Sequence, residues 1–383
     1  MRRIVLLTHA DLRQRAGDVS LILRRAEAFF KQLNMSTKCI LLQKQNYVPF
    51  TSEWFISVFA EDNNAIRREI YSLEDLELVM LYGRKALEKI TFIKKILQRM
   101  NSRARVIIDI QGALEEAVEY SNGMQKIISY SKYLLKRSVF KIALNRADGA
   151  FVVSDELSEY CSNHLQKSKT NDFRIFKVRC GVVDVIGMEQ KVLWRNKIRR
   201  SLSIEDNIKV FVFSGYRMAW QKIDETIEKF KEFDKHDKES FFAFYCNTDR
   251  QFEAMIRNSF PRGNYIIKHL NSEEYFKYLC ACDVGFLFRD YNVTNQVAFP
   301  NKFSDYLNSG LIVAINKAIP EPYRVLQRSG IEYIDLDSDT IDIMFDKIVK
   351  RKEDLPGFYK KTEDLCSKEL LYSSQIKRLN ISF

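Results

Sequence analysis

The stretch that decides the fold is VGFLFRDYNVTNQVAFPNKFSDYLNSGLIVAIN, residues 284–316. The apolar runs 284–288 and 311–315 predict two buried strands, and the amphipathic segment 302–308 between them predicts a short helix. Gly310 stands where such a helix would end. Strand, loop, helix and strand in this order are typical of a parallel sheet. Open sheets of this kind bind their ligands at the carboxyl ends of the strands.

The loop and helix of this stretch carry side chains that suit a nucleotide-linked ligand. Arg289 and Lys302 supply positive charge, Asn295 lies in the loop, and Asp305 supplies a carboxylate. Helix N-termini favour anions, so the two cations suit a phosphate. The carboxylate of Asp305 suits a sugar hydroxyl. We therefore expect a nucleotide-linked ligand here.

A second loop, SGYRMAWQK at 214–222, follows another predicted strand. Gly215 permits a tight turn with close approach of the backbone to a ligand. Arg217 and Lys222 supply charge before the next predicted helix. Such turns are common in α/β proteins, but this one occupies a strand end equivalent to that of the first loop. The pair favours a phosphate site.

Strand and helix candidates alternate along all 383 residues, which indicates an α/β protein with parallel sheets. This length suits two domains, and we expect two Rossmann-like domains facing each other across a cleft. The predicted domains are residues 1–185 and 186–357, with a terminal helix at about 358–383 packing back on the first. The stretch up to about residue 72 that follows the second strand is predicted to be irregular. Residues 113–146 are predicted to be helical.

The cysteine pattern and the hydropathy of the chain indicate in which cellular compartment the protein is expected. The seven cysteines include no C-x-x-C pair, which favours a reduced, cytosolic protein. The amino terminus lacks the features of a signal peptide. No stretch reaches the length of a membrane span, so we expect a soluble or peripheral protein.

The net charge of +11 is concentrated in the first half. Residues 1–185 carry +9 and residues 186–383 carry +2; the runs 89–105 and 125–146 each hold six basic residues and no acidic one. The second run interleaves apolar residues at helical spacing, as an interfacial helix would. It therefore predicts contact with an anionic membrane surface, although a solvated face of an ordinary helix is the alternative. The predicted membrane contacts are Lys132, Lys136, Arg137 and Lys141.

Nucleic acid is not expected as a partner, because the sequence has no Arg-Gly tract, RNP-like strand or zinc-finger spacing.

Landmarks along nearly the whole chain resemble those of the GT-B glycosyltransferases, close to glycosyltransferase family 4 of bacterial surface-polysaccharide assembly. They are IDIQG at 108–112, ADGAFVVSDEL at 147–157, VRCGVVD at 178–184, FSGYRMAWQKID at 213–224, and the stretch 282–316. The last is the most specific, because it resembles the pattern Arg…Pro-x-Lys-Phe-x-Glu-Tyr-Leu-x-x-Gly. Asp305 stands where that family places the carboxylate that holds the nucleotide ribose.

This resemblance implies transfer of a sugar from a nucleotide-diphosphate donor to a glycan or polyprenyl-linked acceptor in surface-polysaccharide synthesis. It places the donor in the second domain and the acceptor in the first, and it implies retention at the anomeric carbon. The nucleotide sugar is a substrate, and we expect no cofactor and no metal. The expected location is cytoplasmic, peripheral at the inner face of the cell membrane.

The sequence departs from the family pattern at several site positions. Tyr216 and Gln221 stand where the family has the Arg and Lys that bind the donor phosphates. Val297 replaces the first carboxylate of its E-x7-E element, and Gln111 replaces the His of its D-x-H-G turn. The expected donor-binding residues are therefore Gly215, Arg217, Lys222, Arg289, Asn295, Lys302 and Asp305.

Loops of the first half supply the remaining candidates. The catalytic candidates are His9, Asp18, Gln111, Glu115 and Glu116, and the acceptor-loop candidates are Gly17 and Arg84. His9 is as well explained as a structural group at a strand end. Glu115 and Glu116 are also explained as acidic residues in the first turn of a helix, where they complement its dipole.

Two other functions remain open at the level of sequence. One is a GT-B epimerase acting on nucleotide sugars, which shares the donor cleft and needs no acceptor. The other is a non-catalytic homologue that partners an active transferase, which the missing phosphate-binding Arg and Lys favour.

Overall fold

A computed structural model describes residues 3–9, 25, 28, 36–44, 51, 55–166 and 172–379. The chain divides into two compact units. The first unit is Met1–Arg179 together with Tyr372–Phe383, and the second is Cys180–Leu371. Each unit is built on a parallel sheet.

In the described residues of the first unit, seven strands form the sheet in the order β3-β2-β1-β4-β5-β6-β7. The strands are β1 (Arg3–Thr8), β2 (Ser36–Gln43), β3 (Phe55–Phe59), β4 (Leu76–Tyr82), β5 (Arg105–Asp109), β6 (Gly149–Val152) and β7 (Arg174–Lys177). All neighbouring pairs are parallel. The order reverses between β1 and β4, which is the switch point where Rossmann-like sheets bind ligands.

The helices of the first unit correct two sequence predictions. They are α1 (Asn63–Tyr71), α2 (Arg84–Glu88), α3 (Ile90–Arg99), α4 (Glu116–Glu119), α5 (Gly123–Arg146) and α6 (Asp155–Ser162). The region predicted to be irregular contains strand β3 and helix α1. The helix forms because Asp62 caps its amino terminus and its residues Ile66 and Ile70 are buried. The helical region predicted at 113–146 is divided into α4 and α5 near Gly123, whose φ is +55°.

The carboxyl-terminal segment of the chain contributes to both units. Helix α16 (Tyr372–Arg378) belongs to the first unit, where the side chain of Gln375 forms two hydrogen bonds with the backbone of Arg179. Its Oε1 accepts from the Arg179 amide at 2.8 Å, and its Nε2 donates to the Arg179 carbonyl at 3.3 Å. The residues up to Leu371 belong to the second unit.

The second unit, all of whose residues are described, has a six-stranded parallel sheet in the order β10-β9-β8-β11-β12-β13. Its strands are β8 (Lys209–Ser214), β9 (Ser240–Tyr245), β10 (Tyr265–Ile267), β11 (Val284–Leu287), β12 (Ile312–Ile315) and β13 (Ile334–Asp335). The switch point lies between β8 and β11. The loops at 214–222 and 288–302 follow these two neighbouring strands, as predicted.

Helices cover both faces of the second sheet. They are α7 (Met188–Ser201), α8 (Ile223–His236), α9 (Arg250–Ser259), α10 (Ser272–Cys280), α11 (Val293–Gln296), α12 (Asn301–Asn308), α13 (Pro320–Ser329), α14 (Ile341–Glu353) and α15 (Leu355–Leu365). A 3-10 turn, Ala219–Gln221, precedes α8. Phe211, Phe230 and Phe286 are buried and in ring contact between helix and sheet.

The amino end of the second sheet is held by a buried ionic cluster. Asp283, directly before β11, accepts from Arg195 at 2.8 Å, Arg199 at 2.7 Å and Arg351 at 2.8 Å. It also accepts from the amide of Val210 at 2.9 Å. Burial alone would raise the pKa of Asp283, but the three guanidinium charges hold it well below its usual range. This cluster fastens α7 and α14 to β8 and β11.

The first unit has a smaller version of the same arrangement. Asp148, directly before β6, accepts from the amide of Val106 at 2.7 Å and from Lys94 at 2.5 Å. The side chains of this ion pair are each 31% exposed. In both units an aspartate directly before one strand therefore holds the backbone of the neighbouring strand.

Candidate functional site

Two buried cations meet at the carboxyl edge of the second sheet, at its switch point. Arg289 follows β11 and Lys302 lies in the first turn of α12. The Oε1 atom of Gln221 accepts from Arg289 Nη2 at 2.8 Å and from Lys302 Nζ at 2.6 Å. The two cationic nitrogens are therefore no farther apart than the sum of these two lengths. One neutral amide oxygen serves both charges.

The close approach of Lys302 to the first loop requires glycine at position 215. A Cβ there would lie 2.6 Å from Lys302 Cε and 2.8 Å from its Nζ. The φ of Gly215 is +109°, a conformation that other residues rarely adopt. The structure therefore brings together Gly215, Arg289 and Lys302.

Lys302 is an unusual lysine because it is only 8% exposed. Its Nζ lies 4.5 Å from the ring centroid of Phe213 and, within the part of the chain that the structure describes, forms no ion pair. Burial lowers the pKa of Lys302 well below its usual value, and the charge of Arg289 lowers it further, whereas Asp305 acts in the opposite direction. An anion bound here would stabilise the charged form of this lysine.

The position of Arg289 is fixed through its backbone by Asn316, at the end of β12. The Arg289 amide donates to Asn316 Oδ1 at 3.2 Å, and Asn316 Nδ2 donates to the Arg289 carbonyl at 2.8 Å. The sequence analysis missed Asn316 as a site residue and treated Gln221 only as a departure from a family pattern. The place of Asn316 directly after a predicted strand is the signal that could have found it.

Tyr306 fixes the helix that carries Lys302 and Asp305. Its hydroxyl lies 3.0 Å from Ser214 Oγ at the end of β8. Gly285 on β11 leaves room for its ring, since a Cβ there would overlap it. The hydroxyl of Ser214 thus connects α12 to the strand before the first loop.

Arg217 and Lys222 lie in the same loop region but pair with other groups. Arg217 forms an ion pair with Asp249 and lies 4.5 Å from the ring centroid of Phe252. Lys222, in a left-handed conformation, pairs with a carboxylate of its own helix and with Asp290 at 3.1 Å. The structure does not bring these two cations to Gln221.

Asn295 and Asp305 are both buried. Asn295 shapes the second loop, because its Nδ2 donates to the Asp290 carbonyl at 3.0 Å and to Asn292 Oδ1 at 2.9 Å. Asp305 is 5% exposed, and its backbone carbonyl accepts from Ser309. Its carboxylate acts electrostatically on Lys302, one helical turn away.

At the switch point of the first sheet, His9 follows β1 and packs against Gly83, which follows β4. Gly83 has a φ of +80°, and a Cβ there would overlap the imidazole. Desolvation of the ring lowers the pKa of His9, and the positive charge of Arg84 lowers it further. Arg84 itself pairs with Glu88 at 3.0 Å. The neutral imidazole is therefore favoured at this edge.

Gln111 lies beside a buried ion pair after β5. Its Nε2 donates to Asp109 Oδ2 at 3.3 Å, and its Oε1 accepts from Tyr82 at 3.3 Å. Asp109 in turn pairs with Arg25, which also donates to the carbonyl of Val178. Gln111 and Tyr82 are thus the half-buried members of a polar group whose ion pair, Arg25 and Asp109, is buried.

Glu115 is held by two tyrosines. Tyr133 donates to its Oε1 at 3.1 Å and Tyr160 to its Oε2 at 2.9 Å. Burial raises the pKa of both phenols, and the carboxylate adds to the effect, so both remain donors. Glu115 thereby connects α5 and α6, while Glu116 is exposed at the start of α4. The candidates Gly17 and Asp18 lie outside the described residues.

Comparison with known proteins defines the fold. No protein-family model and no curated protein sequence matches the chain. Among solved structures, HepE of Anabaena in complex with UDP and glucose aligns with a TM-score of 0.65 and 10% identity over 99% of both chains. The catalytic domain of Arabidopsis thaliana starch synthase IV bound to ADP and acarbose aligns with 0.64 and 10% identity, over 99% of this chain and 98% of that one.

A third match is WaaG, a glycosyltransferase involved in lipopolysaccharide biosynthesis, with a TM-score of 0.61 and 11% identity over 98% of both chains. At these identities the likeness shows the fold alone, so membership of glycosyltransferase family 4 stays a prediction. The predicted fold class is confirmed: this chain has the GT-B fold that its glycosyltransferase neighbours share.

Proposed function

We propose that this protein is a glycosyltransferase that binds a nucleotide-diphosphate sugar at the switch point of its second unit. The observation that supports this most directly is the sharing of Gln221 Oε1 by Arg289 and Lys302. A diphosphate oxygen at the position of that amide oxygen would meet both cations at once. The GT-B fold supports the same donor class, since structural neighbours hold UDP or ADP.

The chemistry follows from the charges at this edge. As the bond between the anomeric carbon and the donor phosphate breaks, negative charge develops on the leaving diphosphate. Arg289 and Lys302 stabilise that charge through fixed, desolvated donors. In the retaining reaction that we propose, the acceptor hydroxyl bonds to the anomeric carbon and its proton passes to the leaving phosphate. Asp305 is proposed to bind the ribose, and no metal or cofactor is assigned to the reaction.

The proposed acceptor is a glycan or a polyprenyl-linked sugar of surface-polysaccharide synthesis. Its proposed position is an anionic membrane surface at the inner face of the cell membrane. Lys132, Lys136, Arg137 and Lys141 on α5 supply the positive charge for that surface. No helix in the described part of the chain is both long and apolar enough to cross a bilayer.

A thermal-shift screen against common nucleotide sugars tests the donor site directly, because a ligand that binds the folded state raises the unfolding temperature. We expect one nucleotide sugar to stabilise the protein and then to release its nucleotide diphosphate when a polyprenyl-linked or glycan acceptor is added. Absence of stabilisation by every nucleotide and nucleotide sugar tested would contradict the proposal.

A non-catalytic partner of an active transferase is the second candidate. It is favoured by Gln221, which stands at a phosphate-binding lysine position of the family, and by Glu115, whose carboxylate is held by two tyrosines. Nucleotide binding without transfer or donor hydrolysis, together with a stable complex with another transferase, would identify this function. Release of a free epimerised nucleotide sugar would instead identify an epimerase.

A further inference from the structure

Helix α5 exposes a continuous apolar face, which we call the apolar stripe. The stripe consists of Met124, Ile127, Ile128, Leu134, Leu135 and Ile142, all of them exposed. Met124 is 83% exposed, Ile127 69% and Leu135 66%. Their spacing of three, four and seven residues places them on one side of a helix. Exposed aliphatic side chains in such a row mark an interaction surface rather than a solvated face.

The opposite face of α5 makes its core contacts. Phe140, Ala143 and Leu144 are the buried residues of this helix, and all three lie near its carboxyl-terminal end. At 3.6 residues per turn they project away from the apolar stripe. The amino-terminal half of α5 is therefore left without a buried side.

Polar groups within the stripe are already satisfied by the helix itself. Ser131 Oγ donates to the carbonyl of Ile127 at 3.1 Å, and Ser138 Oγ donates to the carbonyl of Leu134 at 3.1 Å. A hydroxyl that bonds to its own helix can enter an apolar medium without losing a hydrogen bond to water. The two serines thus do not interrupt the apolar character of the stripe.

Cations border the stripe on both sides. In helical projection the exposed Lys132 lies along one border and the exposed Lys141 along the other, whereas the half-buried Lys136 and Arg137 lie farther round, on the same two sides. No acidic residue occurs from Gln125 to Arg146. An apolar face between two basic borders is complementary to the acyl boundary and the phosphate layer of an anionic bilayer.

We propose that α5 lies in the plane of an anionic phospholipid bilayer and inserts its apolar stripe below the phosphate layer. This deepens the membrane location proposed above and does not depend on the transfer chemistry. A second copy of the chain is a poorer occupant, because two α5 helices stripe to stripe would bring their basic borders against each other. Insertion also differs from adsorption through lysines alone, because it survives salt that screens surface charge.

The direction of α5 specifies the acceptor side. Because α5 connects β5 to β6, two parallel strands, its amino-terminal half lies toward the carboxyl edge of the first sheet. His9 and Gln111 lie at that edge. A bilayer on the stripe would therefore present head groups near these candidate acceptor contacts. The geometry favours a lipid-linked acceptor over a free glycan.

Flotation of the full chain with phosphatidylglycerol-containing vesicles tests the insertion. We expect the double variant Ile127→Gln/Leu135→Gln to bind at least tenfold more weakly than the wild type. Leu193→Gln, which replaces an equally exposed leucine (61%) in the second unit, is the matched control and should bind as the wild type does. Unchanged circular dichroism of each variant establishes that the fold is retained.

A spectroscopic readout separates insertion from adsorption. Leu135→Trp should show a blue-shifted emission on anionic vesicles, with quenching by brominated acyl chains that exceeds that of the wild-type tryptophans. If neutralising the four lysine and arginine residues removes binding while the stripe variants bind normally, insertion is wrong and only the surface location stands. If the wild type binds no vesicle, both are wrong. If the wild type forms a concentration-dependent dimer that the double variant does not form, the partner of the apolar stripe is a second copy of the chain and the bilayer proposal is wrong.

Discussion

The two ends of the second sheet each bury a cluster of cations, and they differ in what those cations contact. At the amino end Arg195, Arg199 and Arg351 surround one carboxylate, Asp283. At the carboxyl end Arg289 and Lys302 share a neutral amide oxygen. The first cluster carries its own anion and holds the unit together. We propose that the second cluster binds the diphosphate of the donor, in which case the same residue types would serve structure at one end of the sheet and binding at the other.

The largest expected effect comes from removing the internal anion. In Asp283→Asn three buried guanidinium groups lose their countercharge, and we expect a loss of about 3–5 kcal/mol in the free energy of unfolding. Urea denaturation measures it. The control is Asp148→Asn in the first unit, where the half-exposed partner Lys94 limits the loss to about 1 kcal/mol. Equal losses in the two variants would contradict the distinction between buried and half-exposed clusters.

Removing a cation from the other cluster should affect binding rather than stability. For Lys302→Met we expect nucleotide affinity to fall about 10- to 100-fold, because a charged hydrogen bond contributes roughly 1.5–3 kcal/mol. The unfolding temperature should be unchanged or higher, since a buried ammonium is replaced by an apolar chain. Calorimetry measures the affinity, with the exposed Lys317→Met as control. Normal affinity for every nucleotide in both Lys302→Met and Asp305→Ala would exclude this donor site.

The sharpest test of the comparison gives the cation cluster at the carboxyl end of the sheet an internal carboxylate, as the cluster at the amino end has in Asp283. Gln221→Glu supplies Arg289 and Lys302 with a permanent carboxylate at the shared position. We expect the unfolding temperature to rise and nucleotide-diphosphate affinity to fall about tenfold, because the internal anion competes for charge-assisted bonds. Gln221→Ala, which removes the amide without adding charge, separates competition from loss of the side chain. A Gln221→Glu protein that binds nucleotide as the wild type does would show that the diphosphate lies elsewhere.

The smallest effect is a dependence on pH. The pKa of Lys302 is lowered in the folded protein. Between this lowered pKa and the usual lysine value of 10.5, the unfolded state therefore binds more protons than the folded state. The free energy of unfolding should consequently increase as the pH rises through this range. A bound diphosphate reverses the shift, and its affinity should therefore decline a few-fold as pH rises above the lowered pKa. Calorimetry in buffers of different ionisation enthalpy should detect proton uptake on binding. Lys302→Arg should bind without that uptake.

The strands predicted at 284–288 and 311–315 are present as β11 and β12, because their apolar runs are continuous and buried. The segment predicted to be helical at 302–308 forms α12. The sequence analysis did not predict the elements between residues 44 and 72. Strand β3 forms by pairing with β2, and helix α1 begins at a capping aspartate, so neither depends on a strong apolar pattern.

The site was predictable only in part, for a related reason. The cations Arg289 and Lys302 could be recognised because both follow strands of one sheet edge. Their shared contact with Gln221 depends on the path of a short turn after β8, and that path has no signature in residue type. The same holds for Arg217, which resembles a phosphate ligand in sequence but pairs with Asp249.

The Asp283 cluster also sets an order of events during synthesis. Arg199 leaves the ribosome 84 residues before the aspartate that it binds, and Arg351 follows that aspartate by 68 residues. At about 5–20 residues per second, Arg199 is without its partner for roughly 4–17 seconds. The cluster at the central strand of the second unit therefore lacks its third guanidinium group until Arg351 has been made. Truncation before Arg351 should leave nascent chains that engage chaperones, whereas the first sheet has by then been translated in full.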